Sequence, residues 1–533
     1  MSERIVGVVG EVSTPVEIDL KAPHPIPPGT YIYIKFRVRD PVTDSESVRE
    51  VVGVVGSVMF KSYTPIIPST GTLPEPYITE LKRDCYMKAI IIADITSGRA
   101  EPPKYPPPPE TPVYLAKPDH LRAVYPYNTE TGIKIGYLLG YKELDVTIDV
   151  NALAKHLLVV GTTGSGKSNF VAVLADRVAQ IGGAVVIFDV HGEYVNLKSE
   201  KTPQVQVVPY SAKINLVKTP IEILTRFIVP EAAATKQRRM LRNALKELNK
   251  EIEDVSTKNR IPYTETVKKL YIEKYRLSTQ NKPGETITEP IEMYKELLKA
   301  KVKSQSSEKK EEKSVADVID KIDDFFEWHP TSLDTPNISE RIECGKIVVV
   351  DVSAFTDTEK DFLLRVVAED LLNALKGKRI PPTLLVVEES HLFIKSGTST
   401  WSKESLQRFA REGRKFGGML AVVSQRPRAL DMDVVSQVQN FVLLKLVQKT
   451  DRMFITEVSD ILSEEYINML PSLSPGQAIV LGEWIGKYPA LVNIDLHKGK
   501  SVGATPNIVA EWRKRLEERK AKNHAETPYS EWM

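Results

Sequence analysis

The sequence predicts an α/β protein in which a mostly parallel sheet follows a small β-barrel and is interrupted by a block of helices. Three observations carry that expectation. Short strand-like runs without helices fill the first hundred residues, and from about Gly136 apolar runs alternate with amphipathic helices. Between about Ile221 and Arg341 that alternation lapses into Lys-, Glu-, Leu- and Arg-rich sequence at helical spacing.

The barrel strands are expected at Ile5 to Val9, Tyr31 to Phe36, Val51 to Val58 and Tyr86 to Ala93, separated by turn formers. Residues 1–100 are assigned to this barrel and 101–135 to a Pro-rich linker and connecting segment, because successive prolines in EPPKYPPPPETP lack the N–H and fix φ. The core is assigned to 136–220 and 342–499, with the helical insertion at 221–341. Core strands are expected at Leu157 to Val160, Ala184 to Phe188, Ile347 to Val350, Leu384 to Val387, Met419 to Val423 and Phe441 to Leu446. The last helix of the insertion gathers Val315, Val318, Ile319, Ile322, Phe325 and Phe326 on one face; the charge run KVKSQSSEKKEEKS before it reads as a solvated loop. Residues 500–533 are expected to form a basic helix, Ile508 to Lys522, and a tail whose Tyr529 and Trp532 suit packing on a neighbour.

With 533 residues, 42% hydrophobic and 27% charged, the chain can bury several cores. Its 72 Lys and Arg against 70 Asp and Glu leave +2, which excludes a protein that coats nucleic acid through bulk charge; any such contact is local. Two distant cysteines, Cys85 and Cys344, point to a reducing compartment and no structural metal. No apolar stretch reaches signal-peptide or membrane-helix form, so a cytoplasmic protein is expected. More Pro (36) than Gly (28), with abundant Lys and Glu, is a balance seen in heat-adapted proteins.

The strongest chemical signal is LLVVGTTGSGKSNF, where Gly161, Gly166, Lys167 and Ser168 match the Walker A spacing directly after an apolar strand. The backbone of Gly161, Thr162, Thr163, Gly164, Ser165 and Gly166 would wrap phosphates, with Asn169 following in the helix; Lys167 would reach the β/γ-phosphates and Ser168 would ligate Mg²⁺. ATP and Mg²⁺ are therefore the expected cofactors of a RecA-like P-loop core. In LLVVEESH the strand runs into Glu388, expected in the Mg²⁺ shell, and Glu389, expected to orient or deprotonate water. In VVIFDVHGEY, Asp189 and Glu193 stand at a third strand end, with a turn-capping Asp as the alternative. His191 and His391 read as hydrogen-bonding partners of nearby acids, and no zinc is assigned.

The segment SKESLQRFAREGRKFGG carries Arg408, Arg411, Arg414 and Lys415, and Ser424 and Gln425 end the next strand where they can sense a γ-phosphate. Arg414 is the first choice for an arginine acting on a neighbouring subunit's nucleotide, with Arg426 and Arg411 as substitutes.

Taken in order, GTTGSGKS, FDVHGEY, VVEESH, AREGRKFGG and SQRP, with a barrel ahead of them, resemble the HerA-type hexameric DNA translocases of the FtsK/HerA group. The first Walker B acid is Glu388 where many members of that group have Asp. The resemblance implies a barrel like that of rotary ATP synthases, a homo-hexameric ring threaded by double-stranded DNA, and a NurA-type nuclease docked on the barrel side in DNA end resection. By motif matching it places Asp189 and Glu193 at the nucleotide, Glu389 as catalytic base and Arg414 in trans. The loop LFIKSGTSTWSKES, with Lys395, Trp401 and Lys403, is then the candidate channel loop.

Three rivals compete with that reading. A ring ATPase moving protein or conjugative DNA for a secretion system would carry membrane helices or a docking domain, and neither is visible. A nucleotide-gated scaffold would have a degraded catalytic acid, yet Glu389 is present; a small-molecule P-loop kinase has no need of a barrel and insertion.

Overall fold

The computed structural model describes residues 4–39, 44–62, 83–128, 130–201, 204–275, 287–305, 312–459, 462–486, 488–499 and 512–518. Of the C-terminal segment, 512–518 is helical; the rest of the expected basic helix, and the tail with Tyr529 and Trp532, lie outside the described residues, as do residues 306–311 of the charge run.

Alternating aliphatic residues form strands β1 (Ile5–Ser13), β2 (Glu17–Ala22), β3 (Tyr31–Arg39), β4 (Glu46–Ser62) and β5 (Arg83–Asp94), which close through β6 (Pro112–Leu115) into a barrel ordered β1-β2-β5-β4-β3-β6. Closure leaves no free edge. Ile18, Leu20, Ile32, Ile34, Val51 and Val55 fill its interior. The Pro-rich segment is more than a linker. Prolines cannot donate but still accept, so Ser13 Oγ donates to Pro107 O (2.6 Å) and Val9 N–H to Thr111 O (2.9 Å), and Pro112 opens β6 where a missing N–H is tolerated. Tyr31 links barrel to core: its hydroxyl accepts from Leu491 N–H (3.1 Å), and its ring meets Tyr125 and Tyr141 edge-on.

After β7 (Gly132–Leu138) and β8 (Tyr141–Asp149), the core strands β9 (Leu157–Val160), β10 (Ala184–Asp189) and β11 (Gln206–Ser211) appear. The short β12 (Ile214–Asn215) and β13 (Thr331–Ser332) bracket the insertion, and β14 (Lys346–Asp351), β15 (Thr383–Val387), β16 (Gly418–Ser424), β17 (Asn440–Leu443), β18 (Gln477–Gly482) and β19 (Ala490–Ile494) complete the chain. Among the described residues the sheet has eleven strands in the order β11-β14-β10-β15-β16-β9-β17-β18-β19-β7-β8. From β11 to β17 every pairing is parallel; from β17 to β8 every pairing is antiparallel. Strands β9, β10, β15 and β16 are buried along their whole length, which explains their unbroken aliphatic runs. Pro209 in β11 is accommodated because β11 is the sheet's edge.

The insertion grows from a parallel β12–β13 stem clasped by buried Asn215, which donates to Leu333 O and Thr335 O and accepts from Val217 and Lys218 N–H. Its helices include Ile221–Ile228, Thr235–Asn259, Pro290–Ser304 and Glu312–Trp328. In the last of these, Val318 and Ile322 are fully buried and Phe325 nearly so, as the 3- and 4-residue spacing predicts. Phe227 stacks on Phe362 of the core helix Asp357–Lys376 (centroids 3.8 Å, planes 22°), joining insertion to sheet.

Candidate functional site

The site lies at the carboxyl ends of the parallel strands. Strand β9 feeds the loop Gly161–Gly166, and the helix Lys167–Gln180 follows. Gly164 (φ +75°) and Gly166 (φ +108°) adopt conformations that side chains disfavour, and a Cβ on Gly161 would sit 2.5 Å from Ser165 Oγ. The loop folds tightly over Lys167, whose Nζ donates to Gly161 O (2.9 Å) and Thr162 O (3.1 Å). Burial pushes the Lys167 pKa down against the attraction of Glu389, Glu388 and Glu193. Thr163 Oγ1 donates to Gln425 Oε1 (2.8 Å), so the tip of the loop touches the end of β16.

Parallel pairing of β10 with β15 brings the other acids alongside. Glu388 is buried, and its Oε1 accepts from the Tyr194 hydroxyl at 2.5 Å. That hydroxyl also lies next to Ser168, so one phenol stands between the two residues expected to hold Mg²⁺. Glu389 departs from the strand in the left-handed region (φ +44°), and its carboxylate lies 3.1 Å from His391 Nδ1. Burial raises the Glu389 pKa, but His391, Lys167 and His191 outweigh it, and the net position is below the ordinary glutamate range. Ser390 Oγ donates to Val387 O (2.6 Å) and accepts from Val423 N–H (3.2 Å), stitching the acid-bearing turn to β16.

Several expected site residues have other partners. Asp189 is fully buried and its carboxylate accepts from Glu193 N–H (3.0 Å) and Tyr194 N–H (2.8 Å); it caps the HGEY turn, the alternative of the two readings, and thereby positions Tyr194. Asn169 points at the C-terminal segment, donating to Asp495 O (2.8 Å) and accepting from His497 N–H (2.9 Å). In the loop beyond β15, Trp401 meets Phe227 edge-on (5.8 Å) and Lys403 pairs with Asp431 (2.5 Å), so both are engaged within the chain while Lys395 is exposed. Tyr194 and the Asp176–His497 pair were not singled out by sequence, although Tyr194 ends the FDVHGEY motif itself.

The arginines divide by position. Register pairs Val422 with Leu158 and Ser424 with Val160, which sets Gln425 and exposed Arg426 beside the chain's own P-loop. Arg411 and Arg414 are exposed at the other end of β16, about 20 Å away at the strand rise. Arg408 pairs with Glu369 (3.0 Å). Buried His156, just before β9, accepts from Leu420 N–H (3.1 Å) and donates to Ala410 O (2.7 Å), fixing the arginine-bearing segment to the sheet. Among the described residues, no group of three or more His, Cys, Asp or Glu side chains is arranged to hold a metal by itself, and no helix is long and apolar enough to cross a membrane.

A parallel sheet with a glycine loop, lysine, hydroxyl and paired acids at its carboxyl edge defines an ATP-hydrolysing P-loop enzyme with a RecA-like core. Residues 133–371 match the family model described as "Helicase HerA, central domain". The chain is 33% identical to the DNA double-strand break repair helicase HerA of Sulfurisphaera tokodaii, over 81% of this chain and 83% of that protein. It is likewise 33% identical to the protein of that name from Saccharolobus solfataricus, over 77% and 78%. Among solved structures, VirB4 of Thermoanaerobacter pseudethanolicus is similar at 17% identity and TM-score 0.47, over 69% of this chain and 97% of that one. The chain belongs to the HerA helicase family.

Proposed function

We propose that this protein is an ATP-driven translocase on double-stranded DNA, assembled as a homo-hexameric ring, that acts in double-strand break repair and end resection with a NurA-type nuclease. The observation that carries the reading is the separation of Arg414 from its own P-loop by the length of β16: it cannot serve its own nucleotide, and its exposure leaves it free to meet that of another copy. The relatives' name, DNA double-strand break repair helicase, supports the repair role. Exposed Ile5, Val12 and Val16 on and beside β1 offer apolar area on the barrel for the nuclease.

The residues present fit a magnesium nucleotide. Gly164 has a positive φ and no atom near the position of a Cβ, which leaves the tip of the loop open, and Ser165 Oγ is buried without a partner among the described residues. Lys167 and the loop amides would bind phosphates; Ser168 and Glu388 would hold Mg²⁺, which when bound neutralises phosphate charge. Glu389, kept ionised by His391, Lys167 and His191, is the group to take the proton of the attacking water. Gln425, tied to Thr163, senses the phosphate end of the site, and Arg414 completes it from the next subunit.

The test is ATP hydrolysis by the full chain with matched duplex and single-stranded DNA over a salt series. Stimulation by duplex that fades with salt is expected. Full-rate hydrolysis by a strict monomer, indifferent to DNA, overturns the reading.

A further inference from the structure

We propose that a basic cleft beside the loop after β15, built on Arg226 and Arg365, receives the phosphate backbone of duplex DNA; this rests on the translocase reading above. The cleft measures about 690 Å³ and is walled by the insertion helix Ile221–Ile228, the core helix Asp357–Lys376 and the exposed turn Gly397–Thr400. It is therefore assembled from three elements remote in sequence. Stacking of Phe227 on Phe362, with Trp401 against both, holds two of those walls in a fixed relation.

The charges identify the occupant. Lys403 contributes little net potential, because Asp431 neutralises it. Arg226 is exposed in the last turn of its helix and has no ion-pair partner among the described residues. Arg365 also lacks an ion pair there: its Nη1 reaches Trp401 O at 3.3 Å, and its Nε is buried with no acceptor. Nearby Asp361 attracts it, but that carboxylate accepts from Trp401 N–H, Ser402 N–H and Ser402 Oγ–H. The lining carries one carboxylate, Glu404, against Arg226, which has no ion pair among the described residues, and Arg365, which Asp361 offsets only from a distance beyond an ion pair.

A phosphodiester suits this inventory. Guanidinium forks pair with phosphate oxygens, and the hydroxyls of Thr398 and Ser399 add neutral donors. Trp401, the aromatic residue in the lining, is packed against Phe227 and Phe362 and is not available to stack on a base. Contact without base reading is what a motor indifferent to sequence requires. The cleft also connects to hydrolysis, since its turn continues the segment that starts at Glu389 and is stitched to β16 through Ser390.

The experiment is fluorescence anisotropy of labelled duplex with the full-length protein and a non-hydrolysable ATP analogue, over a salt series. Arg226→Ala/Arg365→Gln should raise the dissociation constant at least about tenfold and make the log–log salt slope shallower by about 0.9 for each phosphate that is no longer neutralised. Because Arg365 touches Trp401, Arg226→Glu is the second variant, and it should weaken duplex binding more than Arg226→Ala. Unchanged affinity and slope in both variants, with wild-type protein binding duplex normally, overturn the cleft and leave the translocase reading standing. A double variant that loses its ring while Arg226→Glu binds duplex like wild type also overturns it, because the arginines then serve a subunit contact. Failure of the wild type to bind duplex at all removes both.

Discussion

The two ends of the parallel strands are built on opposite plans. At the carboxyl ends, the polar side chains expected around the nucleotide, Ser165 apart, mostly find partners within the chain: Lys167 with loop carbonyls, Glu388 with Tyr194, Glu389 with His391 and Gln425 with Thr163. At the amino end of β16, Arg411, Arg414 and Lys415 are exposed, while the backbone beneath them is clamped by buried His156. A preorganised pocket at one end of the strands and a rigidly mounted, outward-facing cation at the other suit the proposed site shared between copies of the chain.

The largest effect that tests this contrast is at the exposed end. Arg414→Ala should lower ATP turnover by about 10³ to 10⁵ while ATP binding persists. Mixing Arg414→Ala subunits with Glu389→Gln subunits should restore turnover at interfaces where both intact residues meet; absence of rescue would place the arginine's action within one subunit. At the pocket end, Glu389→Gln should lower turnover by about 10² to 10⁴ and spare nucleotide binding, measured with a fluorescent analogue. Unchanged hydrolysis would remove Glu389 from the proton-transfer role.

Much of the pocket end was legible because each part is written locally: a glycine loop after an apolar run, or two acids at the end of another. What escaped depends on neighbours that sequence order hides. Trp401 and Lys403 have the residue types of a DNA loop, yet Phe227 and Asp431, distant in the chain, engage them. Arg226 and Arg365 lie on separate helices and become one feature only when the insertion packs on the core. The proline segment misled because local propensity counts missing donors, whereas its carbonyls accept from β1 and lead into the closing strand. The antiparallel strands β18 and β19 were missed although QAIVLG and ALVNI are apolar runs, since the expectation of an alternating parallel unit supplied no place for them.

A smaller effect asks whether the partners at the pocket end position the metal ligands or merely fill space. Tyr194→Phe removes the hydroxyl that stands between Glu388 and Ser168 and keeps the ring volume. The Mg²⁺ concentration for half-maximal hydrolysis should rise by about 10- to 100-fold, as it does when hydrogen-bonding partners of metal ligands are removed. An unchanged Mg²⁺ requirement would mean that Glu388 is held by packing alone.

The smallest effect concerns a buried acid–histidine pair that joins the P-loop helix to the C-terminal segment. Asp176 is fully buried, accepting from Ser199 Oγ–H (2.5 Å) and Glu200 N–H (3.1 Å) and facing His497 Nε2 at 3.2 Å. Burial pushes its pKa up, but His497, Ser199 and the Glu200 amide more than offset this, and the carboxyl is held below the ordinary aspartate range. A carboxyl with a depressed folded pKa stabilises the protein above its unfolded pKa, and that contribution fades as pH falls through the folded value. Wild-type Tm should therefore drop steeply only below about pH 4, the unfolded range of an aspartate, and Asp176→Asn should flatten that drop while lowering Tm at neutral pH. Parallel Tm-versus-pH curves for the two proteins would mean that the pair which ties the C-terminal segment to the P-loop helix contributes through shape and hydrogen bonding, with no share from its charge.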